Sequence, residues 1–424
     1  MMYIALALFA VTYVLMLVFS KYRPYVALAS GLIFVVSGML PLSSVLGTID
    51  FNVILMIAGT MGIVSLFIES KMPALLADIV MEKVPNVQWA AVAMALFAGI
   101  ISAFVDNVAT VLMVAPVALA ICKKLDTNPV PFIIAIAVSS NLQGAATLVG
   151  DTTAIMLGSA LDMSFIDFFW YQGRPGMFFA VELGALLSAI ILYFLFRKER
   201  SAIPKERART KVTDFVPTIL LLGTIVLLIA ASFIPNKPEI TNGLICCGLL
   251  VIGLVYNLIR KKRLSAITAP LKEIDFQTIG LLLGLFIMIG GIEEQGVIDA
   301  AAGLLAKMGG GNVFLLYTVV VWASVLISAF IDNIPYVATM IPVIAGLAAT
   351  LNIDPTVLYF GLLSGATLGG NCTPIGASAN ITGIGILRKE GYTVRNSDFF
   401  KIGIPFTLAA IIPAYVYLWL MYGI

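Results

Sequence analysis

Ser102-Ala103-Phe104-Val105-Asp106-Asn107 returns 226 residues later as Ser328-Ala329-Phe330-Ile331-Asp332-Asn333, and both copies lie in apolar sequence. The same offset carries Gly144-Ala145-Ala146-Thr147-Leu148-Val149-Gly150 onto Gly370-Asn371-Cys372-Thr373-Pro374-Ile375-Gly376, so the likeness runs far beyond one motif. A duplicated unit with an intramembrane acid in each half implies a secondary transporter, because buried carboxylates are costly in lipid and transporters are commonly built from paired repeats.

Composition places the chain in a bilayer: 61% of its residues are hydrophobic and 11% charged. Many apolar runs approach the ~20 residues that cross ~30 Å of hydrocarbon. There is no histidine, so any proton-linked step falls to carboxylates. Cys122, Cys246, Cys247 and Cys372 show no C-x-x-C spacing and sit in apolar sequence, which implies buried thiols, no zinc or disulfide framework, and no cofactor. The first apolar run, 3 to 19, precedes Lys21 and Arg23, the reverse of a signal peptide. Two spanning helices without processing are expected there.

The fold class expected is an all-α polytopic membrane protein of two inverted-topology repeats, each with a re-entrant hairpin and a broken transmembrane helix. About ten spans are expected, near 3 to 19, 25 to 40, 50 to 68, 130 to 161, 176 to 196, 215 to 234, 242 to 259, 277 to 292, 356 to 387 and 402 to 422. Two hairpins, 90 to 123 and 312 to 350, complete the set. Ala90 to Phe104 would reach only about 22 Å as a helix before meeting Asp106-Asn107, and Asp332-Asn333-Ile334-Pro335 repeats the break with a proline. The domains read as a two-helix scaffold (1–47), repeat 1 (48–196), a basic cytoplasmic loop with connector helices (197–273) and repeat 2 (274–424).

Basic residues orient this plan. With both termini external, every Lys and Arg except Arg174, Lys237 and Lys307 falls in a cytoplasmic loop, including seven between Arg197 and Lys211. Ile49-Asp50-Phe51 then opens the first repeat from outside and Ile274-Asp275-Phe276 the second from the cytoplasm, which makes the repeats inverted. The basic segments follow the inside-positive rule and need no nucleic acid; lipid headgroups are their expected contact.

Each half offers two elements for chemistry. The hairpin tips supply Asp106, Asn107 and Thr110, and Asp332 and Asn333. The broken spans supply Asn141, Gly144, Thr147, Gly150, Asp151 and Thr152, and Gly370, Asn371, Thr373, Gly376, Ser378 and Asn380. Interrupted helices expose backbone groups that can ligate a desolvated ion, and hydroxyl and amide oxygens suit a hard cation, so sodium is expected at Asp106, Asn107, Asp332 and Asn333. Helix capping alone is the plainer reading of Asp-Asn, but a carboxylate at the bilayer centre costs about 2.5 to 3.5 kcal/mol and serine would cap as well. Asp151 stands where the second half has Ala377. Glu69, Glu293 and Glu294 fall at span ends and read as solvated, while Glu182 is a weaker proton-relay candidate within a span.

Ser102 to Val117, Ser328 to Val343 and Leu368 to Asn380 resemble the ion transporter superfamily, closest to its arsenite permease, P protein and NhaD-type sodium/proton antiporter branch. The likeness spans roughly 48 to 173 and 274 to 422. It implies a scaffold with a moving transport domain, elevator-type alternating access and a homodimer in a bacterial-type cytoplasmic membrane. The related sodium/dicarboxylate symporters carry Ser-Asn-Thr at the tips; two acids there would repel a di- or tricarboxylate unless protonated or cation-bound. Gly150-Asp151-Thr152-Thr153 is closer to the antiporters, whereas the second repeat is closer to the permeases.

The leading expectation is thus a proton-coupled antiporter of sodium or of arsenite or antimonite, with H+ and/or Na+ as coupling ion and a small inorganic ion or anion as substrate. A sodium-coupled di- or tricarboxylate symporter is the alternative. An intramembrane aspartyl protease, with Asp106 and Asp332 as an acid dyad, is disfavoured because such enzymes use a Gly-x-Gly-Asp context.

Overall fold

A computed structural model describes residues 1–203 and 209–423. Lys205 and Arg207, two members of the basic loop, lie outside the described residues. The first half contains α1 (Met2–Val18), α2 (Arg23–Val36), α3 (Val45–Thr48), α4 (Phe51–Glu69), α5 (Met72–Glu82), α6 (Val87–Ser102), α7 (Asn107–Lys124), α8 (Val130–Gly144), α9 (Thr152–Ala160) and α10 (Met177–Leu195). The second contains α11 (Val216–Ser232), α12 (Thr241–Lys261), α13 (Ser265–Lys272), α14 (Phe276–Glu294), α15 (Val297–Gly309), α16 (Val313–Ser328), α17 (Asn333–Leu351), α18 (Thr356–Gly369), α19 (Ser378–Lys389) and α20 (Asn396–Tyr422). Among the described residues the fold is helical apart from a two-residue antiparallel ribbon pairing Trp170–Tyr171 with Arg174–Pro175 and an isolated antiparallel bridge between Asn86 and Ala202.

Among the described residues, seven helices are long and apolar enough to cross a membrane alone: α4, α7, α10, α12, α14, α17 and α20. Other expected spans are shorter helices (α1, α2, α11) or the broken pairs α8/α9 and α18/α19. The segments 72–82 and 297–309, expected as loops, are the helices α5 and α15, and α15 meets α16 at a 118° bend where Gly310 and Gly311 take positive φ.

The duplication is written into the helix caps. Asp50 accepts from Val53 N at 3.0 Å, and Asp275 accepts from Gln277 N and Thr278 N at 3.0 Å. Asn86 caps α6 through Trp89 N and Asn312 caps α16 through Leu315 N. Pro116 and Pro342, also one repeat offset apart, fall inside α7 and α17. Pro335 does not make the break expected of it. The break is Ala329 to Asp332, and Pro335 lies in the first turn of α17, where a missing N–H costs no helical bond.

Each segment expected as a hairpin consists of two helices joined at an Asp-Asn break, α6 with α7 and α16 with α17. Ser140 on α8 donates to Asn107 O (2.9 Å) and its Oγ lies 3.1 Å from Ser102 Oγ, which gathers the inner ends of α6 and α7. Their outer ends return to one end of the bundle: Val87 N and Gln88 N bond Ser201 O and Glu199 O, and Lys123 pairs with Glu390 at 2.5 Å. That end also carries the pairs Arg209–Glu82, Arg260–Asp214 and Lys261–Glu69. The α16/α17 hairpin enters from the opposite end, where Tyr317 Oη donates to Tyr415 O and Tyr359 Oη to Ile341 O.

The core is the pair α8 and α18, whose residues are almost all buried. The outer helices α1 and α11 instead expose Ile4, Val11 and Val14, and Ile219, Leu222 and Val226, as a lipid-facing surface requires. The N-terminal and connector helix pairs play matching parts. The helix α2 packs along α14 of the second half, and α12 packs along α4 of the first. Glycine allows both approaches: a Cβ on Gly284 would lie 2.4 Å from Ala27 C, and one on Gly59 would lie 2.5 Å from Cys246 C.

Candidate functional site

Four helix breaks converge between α8 and α18. Each tip aspartate first serves its own helix: Asp106 Oδ1 accepts from Val108 N and Ala109 N at 3.0 Å, and Asp332 Oδ1 from Ile334 N at 3.2 Å. Thr147 bonds Ala103 O and its repeat mate Thr373 bonds Ala329 O, tying each broken span to the neighbouring hairpin. Gly150 and Gly376 sit where carbonyls crowd inward. A Cβ on Gly150 would be 2.5 Å from Gly144 O and 2.7 Å from Ser102 O; one on Gly376 would be 2.6 Å from Gly370 O and 2.8 Å from Ser328 O. No other residue fits such a carbonyl-lined niche.

Amides stitch the two halves together. Asn107 Nδ2 donates to Asn141 Oδ1 (3.0 Å), Asn141 Nδ2 to Thr367 O (2.6 Å) and Asn371 Oδ1 (3.1 Å), and Asn371 Nδ2 to Val138 O (2.9 Å). Asp151 is drawn into the same region: Thr153 Oγ1 donates to its Oδ2 at 2.9 Å, and Asn333 Nδ2 approaches that atom at 3.5 Å.

A cavity of about 130 Å³ opens beside these groups, lined among others by Asp106, Asn107, Asp151, Thr152, Asn333 and Ser378. Ser65 and Ile68 of α4 and Glu273, Asp275 and Thr278 around the start of α14 form its other wall, toward the basic end. Among the described residues no Lys or Arg lines it. Of the other sequence-derived candidates, Asn141, Thr147, Asn371 and Thr373 brace the surrounding backbone, and Thr110 bonds Val105 O within its own hairpin. Gly144 and Gly370 supply carbonyls at the crowded breaks. Asn380 donates to Gly370 O and Thr373 O, leaving its buried Oδ1 unpartnered.

Asp332 differs from its mate. It does not line the cavity; its Oδ2 accepts from Ser378 Oγ at 3.1 Å and pairs with Arg23 Nη1 at 3.3 Å. Charge distribution along the chain accounted for Arg23 as one more cytoplasmic cation and gave no sign of this contact. Asp50 and Asp275 were legible only as repeat starts; Asp50 also accepts from Ser159 on α9, and Asp275 faces the cavity. The aspartyl dyad is excluded by this geometry, since Asp106 and Asp332 engage separate partners and neither bonds the other. Glu69 pairs with Lys261, Glu293 and Glu294 are exposed, and half-buried Glu182 is absent from the cavity wall.

Comparison with known proteins agrees with the architecture. The profile of the family CitMHS, described as citrate transporter, matches residues 13–365 and 246–423. A 46 kDa membrane protein of Mycobacterium leprae is 34% identical over 325 residues, covering 76% of this chain and 74% of that protein. An uncharacterized transporter of Mycobacterium tuberculosis is 33% identical over 334 residues, covering 77% and 76%. The human P protein is 26% identical over 489 residues, covering 95% of this chain and 58% of its own length, in keeping with the resemblance read from the motifs. The YdaH transporter of Alcanivorax borkumensis shares the fold, with a TM-score of 0.61 at 14% identity and coverage of 90% and 88%. An integral membrane secondary transporter, and no enzyme, is what the paired repeats, the broken helices and these relatives jointly describe; the chain belongs to the citrate transporter (CitMHS) family.

Proposed function

We propose that the cavity beside Asp106 and Asp151 takes a small cation, sodium or a proton, and that the protein works as a proton-coupled antiporter. The observation that carries this reading is the wall itself: Asp106, Asp151, Glu273 and Asp275 face the space and, among the described residues, no basic side chain does. A volume of about 130 Å³ has room for a cation with part of its hydration shell, at roughly 30 Å³ per water. Hydroxyl and amide oxygens of Thr152, Asn107, Asn333 and Ser378 complete a hard-cation environment.

In this reading the basic end is cytoplasmic, both termini are external, the hairpins are re-entrant, and the cavity is open inward. The hairpins and broken spans move as an elevator against α4, α14 and their flanking helix pairs, in a homodimer. The family description favours a second reading, in which a carboxylate such as citrate enters together with a cation that offsets the acidic wall.

The test is reconstitution in liposomes with an internal pH dye under sodium, lithium or potassium gradients. Cation-driven proton flux that disappears in Asp106→Asn and Asp151→Asn supports antiport. Absence of flux with every cation, together with cation-dependent citrate uptake, overturns it in favour of the second reading.

A further inference from the structure

We infer that Arg23 is a tethered cation that holds the Asp332 carboxylate in the state seen here and must release it before the second hairpin can move, with Lys237 as its counterpart for Asp106 in the opposite state. This deepens the alternating-access reading above and rests on it.

Arg23 belongs to the N-terminal helix pair. It opens α2, its Nε donates to Met16 O at 3.1 Å, and α2 lies along α14. Asp332 belongs to the hairpin tip, where Ser378 of α19 shares its Oδ2. The ion pair therefore bridges two bodies that elevator movement would separate. It is also well shielded, with side-chain exposures of 18% for Arg23 and 8% for Asp332. Tyr13 adds a second link across the same junction, donating to Pro335 O at 2.5 Å.

A guanidinium cannot discharge at physiological pH, so the pair opens only by separation of two shielded charges or by replacement of Arg23 with another cation. A sodium ion or proton arriving at Asp332 is such a replacement. Occupancy of Asp332 by the coupling ion and by Arg23 would then exclude one another, which links ion arrival to release of the hairpin.

The two halves are unequal in this structure. Asp106 faces the open cavity and accepts hydrogen bonds from the backbone amides of Val108 and Ala109, whereas Asp332 is charge-compensated away from it. Inverted repeats exchange their conformations between states, so the opposite state compensates Asp106 and opens a cavity at Asp332. The matching cation is in place. Lys237 precedes α12, the helix that packs on α4 as α2 packs on α14. It lines a cavity of about 560 Å³ with Asp50, Ser159 and Asn242, its Nζ 3.4 Å from Asn242 Oδ1, and among the described residues it makes no ion pair.

The test reads conformation without substrate, so it stands whether or not cation-driven flux is found. In full-length protein with the four native cysteines replaced, single reporters Ser65→Cys in the inner cavity and Met56→Cys in the outer one are labelled in detergent with a hydrophilic maleimide. Arg23→Gln should slow labelling at Ser65→Cys and raise it severalfold at Met56→Cys. Lys237→Gln should shift both the other way. The reversed pair Arg23→Asp with Asp332→Arg should restore the original pattern. Unchanged labelling in Arg23→Gln overturns the proposal, as does a shift that the reversed pair fails to correct. If Arg23→Gln does not fold, Asp332→Asn breaks the same pair, and unchanged labelling in that variant is equally decisive against it.

Discussion

Asn141 on α8 donates to the side-chain oxygen of Asn371 at 3.1 Å, joining the broken spans of the two halves at the centre of the protein. Single interhelical hydrogen bonds in membrane proteins average only about 0.6 kcal/mol. Asn141, however, also holds Asn107 and Thr367, so its truncation strands several buried polar atoms at once. We expect Asn141→Ala to cost about 1 to 3 kcal/mol. Thermal unfolding in detergent would show the loss, and a Tm equal to wild type would contradict a bracing role.

The niches at Gly150 and Gly376 should tolerate no added methyl. The atoms a Cβ would strike are backbone carbonyls at 2.5 and 2.6 Å, which cannot rotate away as a side chain could. Gly150→Ala and Gly376→Ala are each expected to cost about 1 to 3 kcal/mol by overpacking. Gly385→Ala, inside α19 with open space around it, is the control that should cause no loss of stability.

Asp106 combines a cap with a charge facing the cavity, and two substitutions separate these roles. Asparagine caps a helix about as well as aspartate, so Asp106→Asn should unfold like wild type while losing cation-driven flux. Asp106→Ala should lose flux and also about 1 kcal/mol of stability. Retained flux in Asp106→Asn would confine the residue to capping.

At the basic end, Arg209 grips Glu82 through two bonds of 2.7 Å and holds its carboxyl below the ordinary value of 4.5. A lowered carboxylate pKa contributes at neutral pH and is lost as pH falls through the lowered value. The difference in Tm between wild type and Glu82→Gln should therefore be present at neutral pH. It should close as pH falls below 4.5 through that lowered value. The difference should be small and shrink with added salt, because the pair is exposed.

Much of this architecture is legible in the chain. The repeat offset, the Asp-Asn breaks and the segregation of Lys and Arg are local properties, and each has a direct physical cause in capping chemistry or in the cost of charge in lipid. They sufficed to mark both hairpins and both broken spans. The helices α5 and α15 escaped because they are short and lie between stronger apolar signals.

The linear order of residues determined that Asp106 and Asp332 are mates at the tips of inverted hairpins. Only the tertiary structure decided that they are unequal, one open to an acidic cavity and the other paired with Arg23. It also decided that α2 crosses to the second half and α12 to the first, and that Asn333 reaches Asp151. The reason is that a duplicated sequence encodes two equivalent halves, whereas the folded chain packs them in one arrangement in which they are not equivalent. Which half is exposed depends on how the hairpins sit against the flanking helices, a relation between distant segments that no local pattern carries.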